Sequence, residues 1–280
     1  MPNLQLKVGR IDYLNIWPLF HCIEQDRIVK NIRFLSGHPA QLNQGLARKQ
    51  IHVSPSSSIE YLFRAENYML LPDLSISAEN RVQSVLFCLP FSRNDLIGYV
   101  RDGGSVSLSS ASDTSCALLR VLWHFYWQLP APRWEKLKPG RGLDTGKPFL
   151  EIGDHALRLC FDPPPGWRIV DLAAEWKKMT GLPFVFALWI MNRDLNDPLK
   201  EILRRLKSRL LQAKEDLPFQ FPELCYRYTG KGFNPEQIMS YWQNMNYGLG
   251  PEQLAGLTAF SNYLTQLKVI QGMPALDFFT

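Results

Sequence analysis

The sequence has no apolar run of the roughly 18 residues that a membrane-spanning helix needs. Its first residues also lack the long apolar core of a secretory signal, so we expect a cytoplasmic protein. A dense block of like charge is missing as well. The largest basic group, residues 204–209, has the spacing of the solvated face of an amphipathic helix. We therefore expect neither a membrane nor a nucleic acid as a partner.

Patterns for disulfides and metal sites are missing too. The five cysteines are odd in number and far apart, and none forms a CxxC pair, which is typical of buried free thiols in a reducing compartment. The histidines show no HxH or HxxxH spacing, so we predict no metal site. The chain also has no Gly-rich phosphate loop, no GxSxG elbow and no HExxH helix.

What the chain does have is an alternation of short apolar β-prone runs and helical segments. One series covers residues 6–89, a second covers residues 106–191, and the pattern from residue 196 onward is helical. This order predicts an α/β fold of two lobes, the first of them built on a mostly parallel sheet. The strands near 84–89 and 184–190 are the candidate crossovers. We therefore predict one discontinuous lobe, residues 1–88 plus 190–280, and a second lobe, residues 89–189, with a ligand cleft between them.

Small polar side chains recur where the predicted strands end. Asn15 and Tyr13 follow the first strand, at the end that faces the ligand crevice in open α/β sheets. The Asn15 amide either holds a ligand or caps the next turn. Ser84 stands inside an apolar strand, where its hydroxyl either bonds the backbone or faces the cleft. Asp154 follows a later strand and could orient a neighbour, act as a base or cap a helix.

Two hydroxyl-rich turns precede predicted helices, one at Ser56, Ser57 and Ser58 and the other at Ser112, Thr114 and Ser115. Hydroxyls and backbone N–H groups at a helix N-terminus form an anion site, although ordinary helix capping explains either turn alone. Two such sites suit a ligand with two carboxylates. The residues alone therefore predict a two-lobed binder of a small anion, and they leave open whether it is an enzyme.

Seven stretches of the chain, taken in order, resemble the chorismate dehydratase family of the futalosine route to menaquinone. They are residues 9–15, 58–61, 72–77, 82–85, 112–115, 152–157 and 171–187. The resemblance implies a type II periplasmic-binding-protein fold. It also implies that water is removed from chorismate to give 3-[(1-carboxyvinyl)oxy]benzoate, without a cofactor.

The resemblance further implies roles for single residues. Asn15 and Ser84 would be the catalytic polar groups at the reacting ring, and the substrate's own enolpyruvyl carboxylate would assist removal of the ring proton. The turn that begins at Ser112 would hold a carboxylate. Together with the strand-end residues, the predicted substrate-binding set is Tyr13, Ser56, Ser57, Ser112, Thr114, Ser115 and Asp154.

Three positions depart from the family pattern. His52 and Ser54 lie in a stretch that usually reads Asp-Ile-Gly-Pro, and Glu151 stands where an apolar residue is usual. We expect Ser54 to add bulk where backbone and ligand approach each other. Two alternatives stay open. One is a binding protein that closes on a small dicarboxylate without chemistry. The other is the related enzyme that releases dihydroxynaphthoate, for which His155 is the candidate base.

Overall fold

The computed structural model describes residues 4–228, 230 and 232–280. The first series of elements is β1 (Leu6–Ile11), α1 (Trp17–Glu24), β2 (Ile32–Gly37), α2 (Pro39–Ala47), β3 (Val53–Ser57), α3 (Ser58–Arg64) and β4 (Tyr68–Ala78). The second series is β5 (Val85–Leu89), α4 (Asp95–Arg101), β6 (Ser105–Ser109), α5 (Asp113–Val121), β7 (Arg133–Leu137), β8 (Phe149–Ile152), α6 (Gly153–Phe161), β9 (Arg168–Asp171) and α7 (Leu172–Thr180). The chain then forms β10 (Phe184–Asn192), α8 (Asp197–Arg227), α9 (Pro235–Gln243) and α10 (Pro251–Gln266).

The strands form two five-stranded sheets with the same internal pattern. The first has the order β2-β1-β3-β10-β4 and the second the order β7-β6-β8-β5-β9. In each sheet the strand that has just crossed from the other lobe, β10 or β5, runs antiparallel to both of its neighbours. The strands on the far side of it are parallel to one another. The predicted two-lobed α/β architecture is confirmed. The expectation of a mostly parallel first sheet is wrong, because two of its four strand pairings, those of β10 with β3 and with β4, are antiparallel.

The crossovers lie just before the strands that were predicted to form them. β5 pairs with β8 and β9 in the second sheet, and β10 pairs with β3 and β4 in the first. The chain therefore changes sheet first within residues 79–84 and again between the end of β9 at residue 171 and the start of β10 at residue 184. The lobe division at residues 88/89 and 189/190 stays a prediction. β5 and β10 are apolar throughout because each is covered on both faces, and this apolar character is what made them candidate crossovers.

The C-terminal helices close the first lobe. The apolar face of α8 is buried through Leu199, Leu203, Leu206 and Leu210, whereas Arg204 and Arg205 are exposed, as the sequence spacing predicts. α9 packs on α8 and buries Tyr241 and Trp242 next to the segments that follow β1 and β4. α9 thus contacts the region between the lobes, although it lies far in sequence from the residues that it contacts there.

All five cysteines are free thiols. Among the described residues, no cluster of histidine, cysteine and carboxylate side chains has the makings of a metal site. Within the same residues, no helix is at once long enough and apolar enough to span a bilayer.

Candidate active site

A cavity of about 520 Å³, including open solvent at its mouth, lies between the two lobes. Its polar lining consists of Tyr13, Asn15, Ser57, Ser84, Ser112 and Ser115. The rest of the lining is apolar and includes Ile76, Val82, Ile152 and Phe186. No charged side chain of the described residues lines this cavity. The cavity therefore offers hydrogen-bonding groups and an apolar surface to a ligand but, within the described part of the chain, no cationic side chain.

Helix N-termini surround the cavity. Pro39 of α2, Ser57 before α3, Ser112 before α5 and Gly153 of α6 all line it, and each stands at the start of its helix. The first N–H groups of a helix have no partner inside the helix and carry partial positive charge. Some of these N–H groups already have acceptors: Gly153 N–H donates to the Ser84 carbonyl, and Ala40 N–H in α2 donates to the Ala111 carbonyl. An anion in this cavity would therefore meet the remaining N–H groups and the hydroxyls rather than lysine or arginine.

Asn15 presents an unused amide oxygen to the cavity. Its Oδ1 is buried and has no hydrogen-bond partner among the described residues. It does not cap α1, because the N-cap of that helix is Ile16. The backbone around it is held firmly: Tyr247 donates to the Asn15 carbonyl over 2.6 Å, and Trp242 Nε1 donates to the Leu14 carbonyl over 2.9 Å. The side chain is thus left available for a ligand.

Ser84 ends the first crossover and lines the cavity from there. The turn before it contains Gln83, whose φ of 58° is unusual for a residue with a side chain. The Gln83 N–H donates to the carboxylate of Asp171 over 2.7 Å, and the Ser84 carbonyl accepts from Gly153 N–H over 2.8 Å. The Ser84 hydroxyl accepts from the Tyr241 hydroxyl over 2.7 Å. Both ends of the residue are therefore fixed.

Tyr13 forms part of the cavity wall where the lobes meet. Its ring packs on Gly153, which has a φ of 64° and at which an added Cβ would lie 3.0 Å from the ring. Burial, and to a smaller extent the nearby Asp154 and Glu151, raise the pKa of Tyr13 to about 12. The phenol is therefore a neutral hydrogen-bond donor at physiological pH.

The hydroxyls at the start of α5 form a small cluster. Ser112 Oγ accepts from Ser115 N–H over 3.3 Å and lies 2.9 Å from Ser115 Oγ. Ser57 Oγ, from the other lobe, is buried without a partner among the described residues. Ser112 therefore does cap its helix, as the simpler interpretation holds, and still lines the cavity with Ser115.

Three predicted substrate-binding residues do not line the cavity. β3 extends to Ser57, beyond the predicted strand, so Ser56 lies inside it and is fully buried. Thr114 Oγ1 accepts from Ile59 N–H over 3.2 Å and lies 3.3 Å from Ser58 Oγ. Asp154 Oδ1 accepts from Leu14 N–H over 2.9 Å. The polar groups of Thr114 and Asp154 therefore join the lobes, which is a correction to the direct ligand contacts expected of them.

The three departures from the family pattern also point away from the cavity. Ser54 fills the space left by Gly9 on β1, where an added Cβ would lie 2.3 Å from Ser54 Oγ, so its expected interference with the ligand is not found. His52 Nδ1 accepts from Lys7 N–H over 3.1 Å. Glu151 accepts from Gly140 N–H over 2.8 Å and from Ile152 N–H over 3.1 Å.

The different positions of Thr114 and Ser115 give a testable prediction. Thr114→Val removes a buried hydroxyl that joins the lobes, and it should lower the free energy of unfolding by about 1–2 kcal/mol. Ser115→Ala removes the contact with Ser112 Oγ but leaves no backbone N–H without its acceptor, so it should cost less stability than Thr114→Val. It should raise KM, because this hydroxyl lines the cavity. Denaturant unfolding and steady-state kinetics of the two variants check this. A larger rise in KM for Thr114→Val than for Ser115→Ala would contradict the assignment.

The residues that the sequence did not reveal come from α9 and from the segment that follows it. Tyr241, Trp242 and Tyr247 hold Ser84, Leu14 and Asn15, respectively. They lie outside the seven resembling stretches, and in an amphipathic helix aromatic residues read simply as core. No local signal marks them, because their partners are more than 150 residues away.

The repeated strand order and the cavity between the lobes define a periplasmic-binding-protein-like fold with a small-molecule site. The solved structure of the alkanesulfonate-binding protein from Xanthomonas axonopodis pv. citri, bound to MOPS, shares this fold. It has a TM-score of 0.67 and 14% sequence identity, and the match covers 98% of this chain and 96% of that one.

Residues 6–266 match the family described as Menaquinone biosynthesis, and the chain belongs to that family. A curated relative from Thermus thermophilus, named chorismate dehydratase, is 29% identical over 92% of this chain and 94% of its own length. A second relative of that name, from Campylobacter jejuni, is 32% identical over 75% of this chain and 76% of its own length.

Proposed function

We propose that the protein is a chorismate dehydratase, a carbon–oxygen lyase that converts chorismate to 3-[(1-carboxyvinyl)oxy]benzoate and water in menaquinone biosynthesis. Within this family, the observation that carries the proposal is the cavity between the lobes. It combines helix N-termini, no charged side chain of the described residues, and the polar groups of Asn15 and Ser84. The substrate is a small dianion, and we propose that the enzyme acts in the cytoplasm.

The proposed elimination of water needs few chemical groups from the protein. The ring carbon that bears the enol-ether oxygen loses its proton, and the electron pair of that C–H bond becomes a ring π bond. On the adjacent ring carbon, the C–O bond to the hydroxyl breaks. The hydroxyl oxygen leaves with the electron pair of that bond and takes a proton to become water. The ring becomes aromatic, which supplies the driving force. The reaction needs no oxidant or reductant, so the enzyme has to orient the substrate and stabilise developing charge.

Each part of the cavity has a role in this scheme. The start of α5, with Ser112 and Ser115, holds one carboxylate. Asn15 and Ser84 hydrogen-bond the reacting part of the ring. The substrate's own enolpyruvyl carboxylate accepts the ring proton, since the described cavity lining contains no histidine or carboxylate to do so. The apolar walls keep water from the reacting carbon.

No observation favours the dihydroxynaphthoate-releasing enzyme. Its candidate base, His155, is exposed on α6 beside Gly140 and does not line the cavity. A binding protein without chemistry shares the fold, and the test below separates it from an enzyme.

The proposal is tested by incubating the purified protein with chorismate and following the mixture by chromatography and mass spectrometry. The expected product is aromatic and lighter than chorismate by one water. Thermal stabilisation by chorismate without turnover would instead identify a binding protein. If chorismate is neither converted nor bound, the proposed function is wrong and only the fold assignment stands.

A further inference from the structure

A hydrogen bond that the scheme above does not use joins Tyr241 to Ser84, which lines the cavity. Tyr241 lies in α9 and is 1% exposed, and its hydroxyl donates to Ser84 Oγ over 2.7 Å. Among the residues that the structure describes, Tyr241 is the hydrogen-bond partner of the Ser84 side chain. The two residues are 157 positions apart in sequence, so the contact exists only because α9 packs against the first crossover.

This contact decides which way the Ser84 proton points. A serine hydroxyl has one proton and two lone pairs, and the phenol proton occupies one lone pair. The Ser84 proton is therefore directed away from Tyr241, and the open side of Ser84 is the cavity. Without the phenol, the Ser84 hydroxyl could rotate and act as donor or acceptor with equal ease.

The donor and acceptor in this pair do not exchange with pH. Burial raises the pKa of Tyr241 well above its usual value, so the phenol keeps its proton across the physiological range. A group that holds its proton and aims it at Ser84 Oγ also stabilises negative charge on that oxygen.

The surroundings show that this part of the fold is built around the cavity. Trp242, the residue after Tyr241, donates to the Leu14 carbonyl, and Tyr247 donates to the Asn15 carbonyl. A single stretch, residues 241–247, thus fixes the backbone beside Asn15 and the side chain of Ser84. It belongs to the lobe of Asn15 and contacts Ser84 at the crossover.

We propose that Tyr241 is a positioning residue for the dehydration, acting through Ser84, which rests on the proposed function above. Tyr241 fixes the Ser84 hydroxyl as a donor to the oxygen that leaves the ring. In this step the ring proton moves to the substrate's enolpyruvyl carboxylate, and the C–O bond breaks. Ser84 passes its proton to the leaving oxygen and regains one from that carboxylate. Tyr241 keeps its own proton throughout and stabilises the charge that builds on Ser84 Oγ.

The test is the Tyr241→Phe variant, which keeps the ring and removes only the hydroxyl. We expect kcat to fall on the order of 10- to 100-fold, as when an outer hydrogen-bond partner of a reactive group is lost, with KM little changed. The matched control is Tyr61→Phe. Tyr61 is equally buried and donates to the Ala275 carbonyl over 2.9 Å away from the cavity. This control should lose stability and keep kcat.

A double-mutant cycle with Ser84→Ala separates positioning from a general structural role. If Tyr241 acts through Ser84, adding Tyr241→Phe to Ser84→Ala should cause no further loss of kcat. Additive losses would overturn the proposal, and so would an unchanged kcat in Tyr241→Phe. Affinity for the reaction product, measured by calorimetry, shows that the site of each variant is intact. The wild-type protein is assayed alongside: if it does not turn over chorismate, the proposed function fails, whatever Tyr241 does.

Discussion

Replacing Asn15 by alanine should reduce kcat on the order of 100- to 1000-fold, the loss found when one preorganised polar group is removed from an active site. The free energy of unfolding should hardly change, because the Asn15 amide oxygen has no hydrogen-bond partner among the described residues. Removal of an unsatisfied buried acceptor costs no protein hydrogen bond. Steady-state kinetics and thermal unfolding of the same preparation check both parts.

The matched control for Asn15→Ala is Asn192→Ala. Asn192 is also a buried asparagine, but its amide donates to the carbonyls of Ile51 and Leu46 over 2.7 Å and 3.3 Å, outside the cavity. This variant should lose stability and retain turnover. If Asn15→Ala keeps full activity, or if the two variants lose activity equally, the assignment of Asn15 to the reacting ring is wrong.

The buried carboxyl of Glu151 should make the protein less stable as the pH rises. Its side chain is 2% exposed, and burial raises its pKa from 4.5 to about 7, although N–H donors from Gly140 and Ile152 act in the opposite direction. Between these two values the native state binds more protons than the unfolded state. Stability therefore falls from about pH 4.5 upward, and the loss is complete once the pH is above about 7.

The Glu151→Gln variant isolates this effect. Each pH unit between the two pKa values corresponds to about 1.4 kcal/mol, so the stability of Glu151→Gln relative to wild type should improve by about 3 kcal/mol between about pH 4 and pH 8. Denaturant unfolding of both proteins across that range gives the difference directly, and effects of other ionisable groups cancel. Two parallel stability curves would contradict a neutral buried carboxyl.

Strand and helix alternation was sufficient to predict the two-lobed α/β fold, because apolar period and helix spacing are local properties of the chain. The boundaries between the lobes are harder to predict from the sequence. β5 and β10 are covered on both faces, so each is apolar from end to end, and nothing local shows which sheet an apolar strand joins. Pairing is decided by the partner strands, which are distant in sequence.

The site was predictable where side chains line the cavity directly. Asn15, Ser84, Tyr13 and the start of α5 all do so, since strand ends and helix starts carry a recognisable pattern. Thr114 and Ser115 could not be told apart from sequence. They are neighbours on one turn, yet the hydroxyl of Thr114 meets Ile59 and Ser58 of the other lobe. Such contacts depend on how the lobes pack.

The supporting residues were out of reach for the same reason. Tyr241 and Tyr247 sit in or just after a helix whose pattern indicates only a buried face, and their hydroxyls act on residues near the start of the chain or at the crossover. Their proposed roles depend on the positions of Ser84 Oγ and the Asn15 carbonyl, which only the folded protein brings to these hydroxyls.

The central claim is that chorismate binds between the lobes with its reacting ring at Asn15 and Ser84. A crystal structure of the Ser84→Ala variant soaked with chorismate tests it most directly, because slow turnover should preserve the substrate. We expect one carboxylate at the start of α5, within hydrogen-bond distance of Ser112 or Ser115, and the ring hydroxyl next to the Asn15 amide and residue 84. Chorismate bound outside this cavity, or bound with its hydroxyl facing away from Asn15, would contradict the account.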